Sequence, residues 1–448
     1  MRCVSLLAAA GVCAGLIAAS PPARAATGPG TGTATPIKHI VVLMQSGHSF
    51  DNYFGTYPGA DGIPSGACLP ASTLQPKAHA CVRPYHLGGA PASDLDHGSG
   101  TWARQYDGGR MDGFVSAYRR LGLSGATALG YYDQRDIPFY WNAAGNYVLF
   151  DRFFSSAPVG VRLNRFWWVA GRPTPSGGER IPAGGYGQVP TIFDRLTAAG
   201  VSWKMYVQNY DPHVTYRTSR PGNANSQVSR VPLVDFARFV DNPELASHIS
   251  DASTYYGDLR RGTLPAVAFM TAAGASENPP GSPQAGQQFV RQTVTALEMS
   301  SSWPTSAFMW TYDNWGGWYD HVKPPKGWGF RVPALLVSAY ARHGQVDDTT
   351  MDFTAILRFI EENWHLAALS SRDAQSPGLA SAFDFSLPPR SAELLAGQRA
   401  ATAPPNAKTG VVYSVYAGEL LLVAAVIGLA IWRSRPRRAD RGGEDLAT

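Results

Sequence analysis

Apolar residues in this chain fall into short blocks separated by amphipathic stretches, and the blocks predict the strands. Ile37 to Met44 (IKHIVVLM) is β-branched and nearly continuous, the pattern of a strand buried on both faces. Ala266 to Met270, Ser306 to Thr311 and Val332 to Ser338 are similar runs, and Val201 to Tyr206 alternates as a half-buried strand does. Between them, Ile192 to Gly200, Pro283 to Met299 and Phe353 to Trp364 carry helical spacing. Strands alternating with helices predict one large α/β domain, 37–389, with no internal repeat. From about Pro58 to Gly100 the periodicity is lost and the chain reads as loop.

The two ends carry different signals. Residues 1–25 have a positive start at Arg2, a short Ala- and Leu-rich core and a small-x-small site at Ala23-Arg24-Ala25, the form of a cleaved secretory signal. A flexible leader, 26–36, follows. At the other end a Pro- and Ala-rich linker, 390–410, precedes the apolar segment 411–432. At about 1.5 Å per residue, that segment reaches the ~30 Å of a bilayer core. Arg433, Arg435, Arg437 and Arg438 open the tail 433–448 and place it on the cytoplasmic side. The expectation is a single-pass membrane protein with its large domain outside the cytoplasm.

Composition changes this picture little. An apolar fraction of 44% and a charged fraction of 16% exclude a disordered chain, and a net charge of +5 gives no reason to expect nucleic acid. Cys3 and Cys13 lie in the signal, so the mature chain keeps Cys68 and Cys81, an even pair that reads as a loop disulfide in an oxidising compartment.

The chemistry sits in ordered motifs. Ile37 to Gly55 reads IKHIVVLMQSGHSFDNYFG; Asp94-Leu95-Asp96-His97 and Gly109 to Phe114 (GRMDGF) follow. Then come Ser155 to Gly171 (SSAPVGVRLNRFWWVAG), Ser276 to Gly286 (SENPPGSPQAG) and Thr311 to Pro325 (TYDNWGGWYDHVKPP). Together they resemble the bacterial phosphoesterase family of phospholipases C and acid phosphatases. In that family the corresponding segments include Q-E-N-R-S-F-D, D-x-D-H, G-P-T-x-P-N-R, S-E-H-P-P and T-Y-D-E-x-G-G-F-Y-D-H. The resemblance implies an alkaline phosphatase-like three-layer α/β/α sandwich with its site at the carboxyl ends of the strands. It also implies phosphoester hydrolysis, in which a hydroxyl attacks phosphorus and a divalent cation stabilises the developing charge.

This sequence departs from the family at the reacting positions. Ser46-Gly47 stands where the family has Glu-Asn metal ligands, Val161 at the threonine nucleophile, and Asn314 at the glutamate of T-Y-D-E. Asn278 and Asp348 replace family histidines, while Asp51, His97, Asn164, Arg165, Glu277, Asp313, Asp320 and His321 are retained. With two ligand carboxylates gone, Asp313 is the one matched anion left, too little charge to offset dehydration of a hard cation. A valine cannot attack phosphorus.

The expectation is a membrane-held phosphoesterase relative, catalytically impaired, that binds a phosphate-containing lipid, glycan or protein partner. Val161 and His97 mark its catalytic positions, and Asn164, Arg165, Glu277, Asn278, Asp320 and His321 are its candidate binding residues. No resident cofactor is expected; an active chain would need a divalent metal. The alternative is an active hydrolase rebuilt around Asp313, Asn314 and Asp348 as metal ligands, with Ser46, read as a loop serine lacking a paired base, as substitute nucleophile. Trp315, Trp318, Tyr319 and Trp328 read as packing rather than as a ligand cage.

Overall fold

The computed structural model describes residues 32–397 apart from 73–80, 89–93, 219–225, 274–276 and 279–280. Its core is one eight-stranded sheet: β1 His39–Gln45, β2 Val148–Phe150, β3 Trp203–Val207, β4 Ile249–Asp251, β5 Val267–Thr271, β6 Ser306–Tyr312, β7 Ala334–Ser338 and β8 Gln345–Asp347. Their order across the sheet is β8-β2-β7-β6-β1-β5-β3-β4. Only β7 runs against its neighbours. Every residue of β5, β6 and β7 is buried, which is why these strands appear as unbroken apolar runs.

Register shows helices on both faces. The helices used below are α1 Phe50–Phe54, α2 Phe114–Arg119, α3 Pro138–Asn146, α4 Val161–Ala170, α5 Ile192–Ala198, α6 Pro283–Glu298 and α7 Thr354–Asn363. Trp168 of α4 and Phe193 of α5 pack on Phe269 of β5, with ring centroids 4.5 and 5.0 Å away. Phe269 and Met309 are level, both paired with Val42. Successive strand residues point to opposite faces, so Trp310 points the other way, and there it meets Phe139 and Tyr140 of α3. The predicted layered, mixed α/β core is what forms.

The same register brings Gln45, Thr271 and Tyr312 to one edge, so the loops that follow β1, β5 and β6 leave side by side. A second apolar cluster covers part of that edge. It joins Phe114, Val115 and Tyr118 of α2 to Leu95, Trp315, Trp318, Tyr319 and Phe330. Those tryptophans are fully buried, as packing requires and a cage would not allow. The Cys68–Cys81 disulfide forms and staples a two-strand ribbon, Leu69–Pro70 with Cys81–Val82, inside the stretch read as loop.

Strands β2, β4 and β8 and helices α1 to α4 escaped the sequence pattern. β2 is three residues long, too short for a periodicity to register. α4 carries Asn164 and Arg165 on its buried side, which breaks the apolar stripe expected of a core helix. Among the described residues no helix is long and apolar enough to cross a membrane. The predicted signal 1–25, the span 411–432 and the tail 433–448 lie outside the described residues, as do most of the leader and linker.

Candidate functional site

The loops after β1 and β6 meet in a closed polar centre. Ser46 Oγ donates to Asp313 at 2.9 Å from Oδ1 and 3.0 Å from Oδ2. Asn314 Nδ2 donates to Asp313 Oδ1 at 2.9 Å, and Arg165 Nε donates to Oδ2 at 3.0 Å. Arg165 then spends its other donors on Thr271 Oγ1 and on the carbonyls of Met44, Gln45 and Arg230. Burial pulls its guanidinium down to about 10, against the pull of Asp313, so it stays charged at neutral pH. Ser46 is only 2% exposed. It is not the surface-loop serine of the sequence reading, and it does have a carboxylate partner.

Glycines let these loops touch. A Cβ on Gly316 would lie 2.0 Å from the carbonyl oxygen of Gly47, and one on Gly47 would lie 2.3 Å from Asn278 Oδ1. Both glycines have positive φ, +61° and +79°. The position where the family carries an asparagine ligand is therefore filled by Asn278 from the loop after β5.

Helix α4 links this centre to an open cavity. Val161 starts the helix, and Arg165 stands one turn later on the same face. Val161 and His97 line a cavity of about 690 Å³ together with Asp94, Asp96 and Glu179. His97 Nδ1 lies 2.7 Å from the Leu95 carbonyl, and its ring meets the edge of Trp315, centroids 6.1 Å apart. So His97 is both anchored in its loop and part of the cavity wall. Glu179, which sequence reasoning missed, accepts the backbone N–H groups of Leu163 at 2.8 Å and Arg162 at 3.1 Å. Those are the free donors with which a helix start holds an anion. It lies in a Gly- and Ser-rich loop with no motif to signal it.

The remaining candidates lie elsewhere. Asn164 secures the turn before α4 through Ala157 and Gly160 rather than facing the cavity. Glu277 is buried among tyrosines: Tyr53 Oη donates at 2.5 Å, Tyr312 Oη at 2.8 Å, and Tyr140 Oη also donates. Burial pushes its carboxyl up to about 7 against those three hydrogen bonds. His48, also missed, stacks on Tyr53 at 4.3 Å and reaches the Glu277 carbonyl at 3.2 Å. Asp320 and His321 do not bond each other. Arg331 joins Asp320 at 2.9 Å and Asp51 at 3.0 Å, and Asp51 holds His321 at 2.7 Å. Burial raises Asp320, despite Arg331 beside it. Burial opposes the charged His321 ring, but its bond to Asp51 and the nearby carboxylates prevail and raise its pKa.

Asp348 is a correction. It is exposed and follows the edge strand β8, with β2 and β7 between it and β6, so it is not brought to Asp313.

The divalent metal implied by the resemblance does not fit the Asp313 centre. Both carboxylate oxygens already accept from two donors each, and one of those donors is a buried cation. Two other groups, Asp51-Asp320-His321 and His86-Asp133-Asp136, bring potential ligand atoms within 4.8 Å of one another. In each an arginine bonds a carboxylate, Arg331 in the first and Arg135 in the second.

Comparison with known proteins matches the sequence to a family. The profile of the Phosphoesterase family matches residues 37–367. A non-hemolytic phospholipase C of Burkholderia pseudomallei is 29% identical, the match covering 80% of this chain and 60% of that protein. Phospholipase C A of Mycobacterium tuberculosis is 27% identical over 81% of this chain and 80% of its own length. A hemolytic phospholipase C of Pseudomonas aeruginosa is 26% identical over 79% and 57%. This chain thus spans less than two thirds of the Burkholderia and Pseudomonas proteins. A solved protein of the alkaline phosphatase superfamily from Vibrio parahaemolyticus aligns over 76% of this chain and 70% of its own, with 10% identity and a TM-score of 0.37, too loosely to carry an argument.

Proposed function

This chain belongs to the phosphoesterase family, and from that premise we propose that it is a phospholipase C-like member that binds the phosphate-bearing head group of a lipid without hydrolysing it. The observation that carries the reading is the Ser46–Asp313–Arg165 centre, where a buried guanidinium takes the carboxylate a metal would need. Val161 compounds it, presenting an isopropyl group to the cavity where the family has a hydroxyl.

The cavity keeps the means to bind. Glu179 marks an anion position at the start of α4, and a phosphate displacing it would meet the N–H groups of Arg162 and Leu163 with His97 in the same wall. Glu179 is half-exposed, free to swing aside. In this reading the segment 411–432 tethers the domain outside the cytoplasm, within reach of lipid head groups.

One observation favours a second reading, an active hydrolase: Ser46 Oγ is hydrogen-bonded to a carboxylate, as an activated hydroxyl would be. Its burial opposes that role, since Ser46 is only 2% exposed and offers phosphorus no path to its hydroxyl. The test is turnover of a phosphocholine diester and a phosphate monoester by the purified chain with Mn²⁺, Ca²⁺ or Zn²⁺. No turnover, with binding of glycerophosphocholine, supports the proposal. Turnover abolished by Ser46→Ala supports the second reading instead.

A further inference from the structure

The turn after α2 is built unlike the rest of the surface. Leu121 is 46% exposed and Leu123 52%, and they flank Gly122 at the tip of the turn. Arg119 and Arg120 precede them, both exposed, and among the described residues neither forms an ion pair. Scattered exposed leucines need no explanation; two at one tip, beside two free arginines, do.

The tip is also preformed. Leu121 N donates to the Tyr118 carbonyl at 2.9 Å, Gly122 N to that of Arg119 at 3.1 Å, and Leu123 N to that of Tyr118 at 3.0 Å. Gly122, at φ +74°, makes the left-handed turn that this bonding needs. The leucines are thus held outward by the backbone.

Its base reaches the candidate site. Phe114, Val115 and Tyr118 are buried against Trp315 and Trp318 in the second cluster. Tyr118 Oη lies 2.7 Å from the carbonyl of Asp96, beside His97, and 3.1 Å from that of Gly317, in the turn that carries Asp313 and Asn314. The helix that bears the tip is thus packed against the loop that supplies Asp94 to His97 to the cavity wall.

We infer that residues 119–123 form a wedge that inserts Leu121 and Leu123 into an anionic lipid surface, with Arg119 and Arg120 at the head-group level. The inference rests on the reading above, that the ligand is a lipid head group. An apolar tip flanked by basic residues is the composition that partitions to a bilayer interface, its arginines remaining with the phosphates.

The test uses the full chain in nanodiscs, with Cys3 and Cys13 replaced by serine and an environment-sensitive fluorophore on Leu123→Cys or, as control, on Leu387→Cys, another exposed leucine. In discs containing phosphatidylglycerol the probe at 123 should shift to the blue and be quenched by spin-labelled lipid, while the probe at 387 stays aqueous. Arg119→Glu with Arg120→Glu should lower the ratio of inserted to free tip by at least about tenfold, given roughly fivefold per arginine. An aqueous spectrum at 123 in anionic discs overturns the wedge, as does insertion indifferent to those two arginines. Thermal stabilisation by soluble glycerophosphocholine, measured separately, reads the pocket alone. Its absence while the tip inserts sinks the lipid-ligand reading and not the wedge; its presence with an aqueous tip does the reverse.

Discussion

Glu277 offers a prediction whose size follows from its surroundings. Its carboxyl is fully buried under Tyr53, Tyr140 and Tyr312, and burial lifts it from an ordinary 4.5 to about 7. The unfolded chain therefore loses this proton near pH 4.5, whereas the folded chain keeps it until about pH 7. Between those values the folded state binds more protons, so stability falls as pH rises. The rise from 4.5 to about 7 corresponds to about 3 kcal/mol, fully lost above pH 7. Glu277→Gln removes that ionisation while keeping the shape of the side chain. Its unfavourable part is an amide that must find acceptors among phenols, about 1–2 kcal/mol and independent of pH. Urea unfolding of both proteins, followed by tryptophan fluorescence from pH 4 to 8, gives the difference directly. The variant should be the less stable at pH 4.5 and should gain about 3 kcal/mol relative to the parent by pH 7.5. Parallel curves across that window would refute the buried, proton-retaining carboxyl.

Arg165→Met leaves Asp313 buried without its cation and should cost about 3–5 kcal/mol, while Arg165→Met with Asp313→Leu should cost less than the two changes summed; a thermodynamic cycle by urea unfolding checks both. Glu179→Ala should lower stability by about 1 kcal/mol, since two backbone N–H donors lose their acceptor, and raise affinity for glycerophosphocholine severalfold, since the competing anion is gone. Calorimetric titration showing unchanged or weaker binding would place the phosphate elsewhere. Gly316→Ala sets a Cβ against the Gly47 carbonyl at positive φ and should cost about 1–3 kcal/mol in strain alone, read by the same unfolding assay.

The fold was legible because its central strands are buried on both faces, which turns each into an apolar run with a visible start and stop. The predicted strand at Ser306 to Thr311 and helix at Pro283 to Met299 match Ser306–Tyr312 and Pro283–Glu298 nearly residue for residue. α4 was hidden for the opposite reason, since the side chains it buries include an asparagine and an arginine. The substitutions at Ser46, Gly47, Val161 and Asn314 could be read from motif spacing, but what fills their places could not. That Asn278 packs against Gly47, and that Arg165 turns its guanidinium to Asp313, depend on contacts between segments far apart in the chain. Asp348 shows the limit most plainly. Standing where the family has a histidine made it a candidate ligand, and only the strand order shows two strands standing between it and β6.

Arg165 pairs with the buried Asp313 carboxylate, and in the proposed reading no metal ion shares it. Elemental analysis of the purified chain, after equilibration with Mn²⁺, Ca²⁺ or Zn²⁺ and gel filtration, tests this on the wild-type protein and on Asp313→Asn together. No metal whose retention depends on Asp313 is expected. A stoichiometric ion kept by the wild type and lost from Asp313→Asn would contradict that reading.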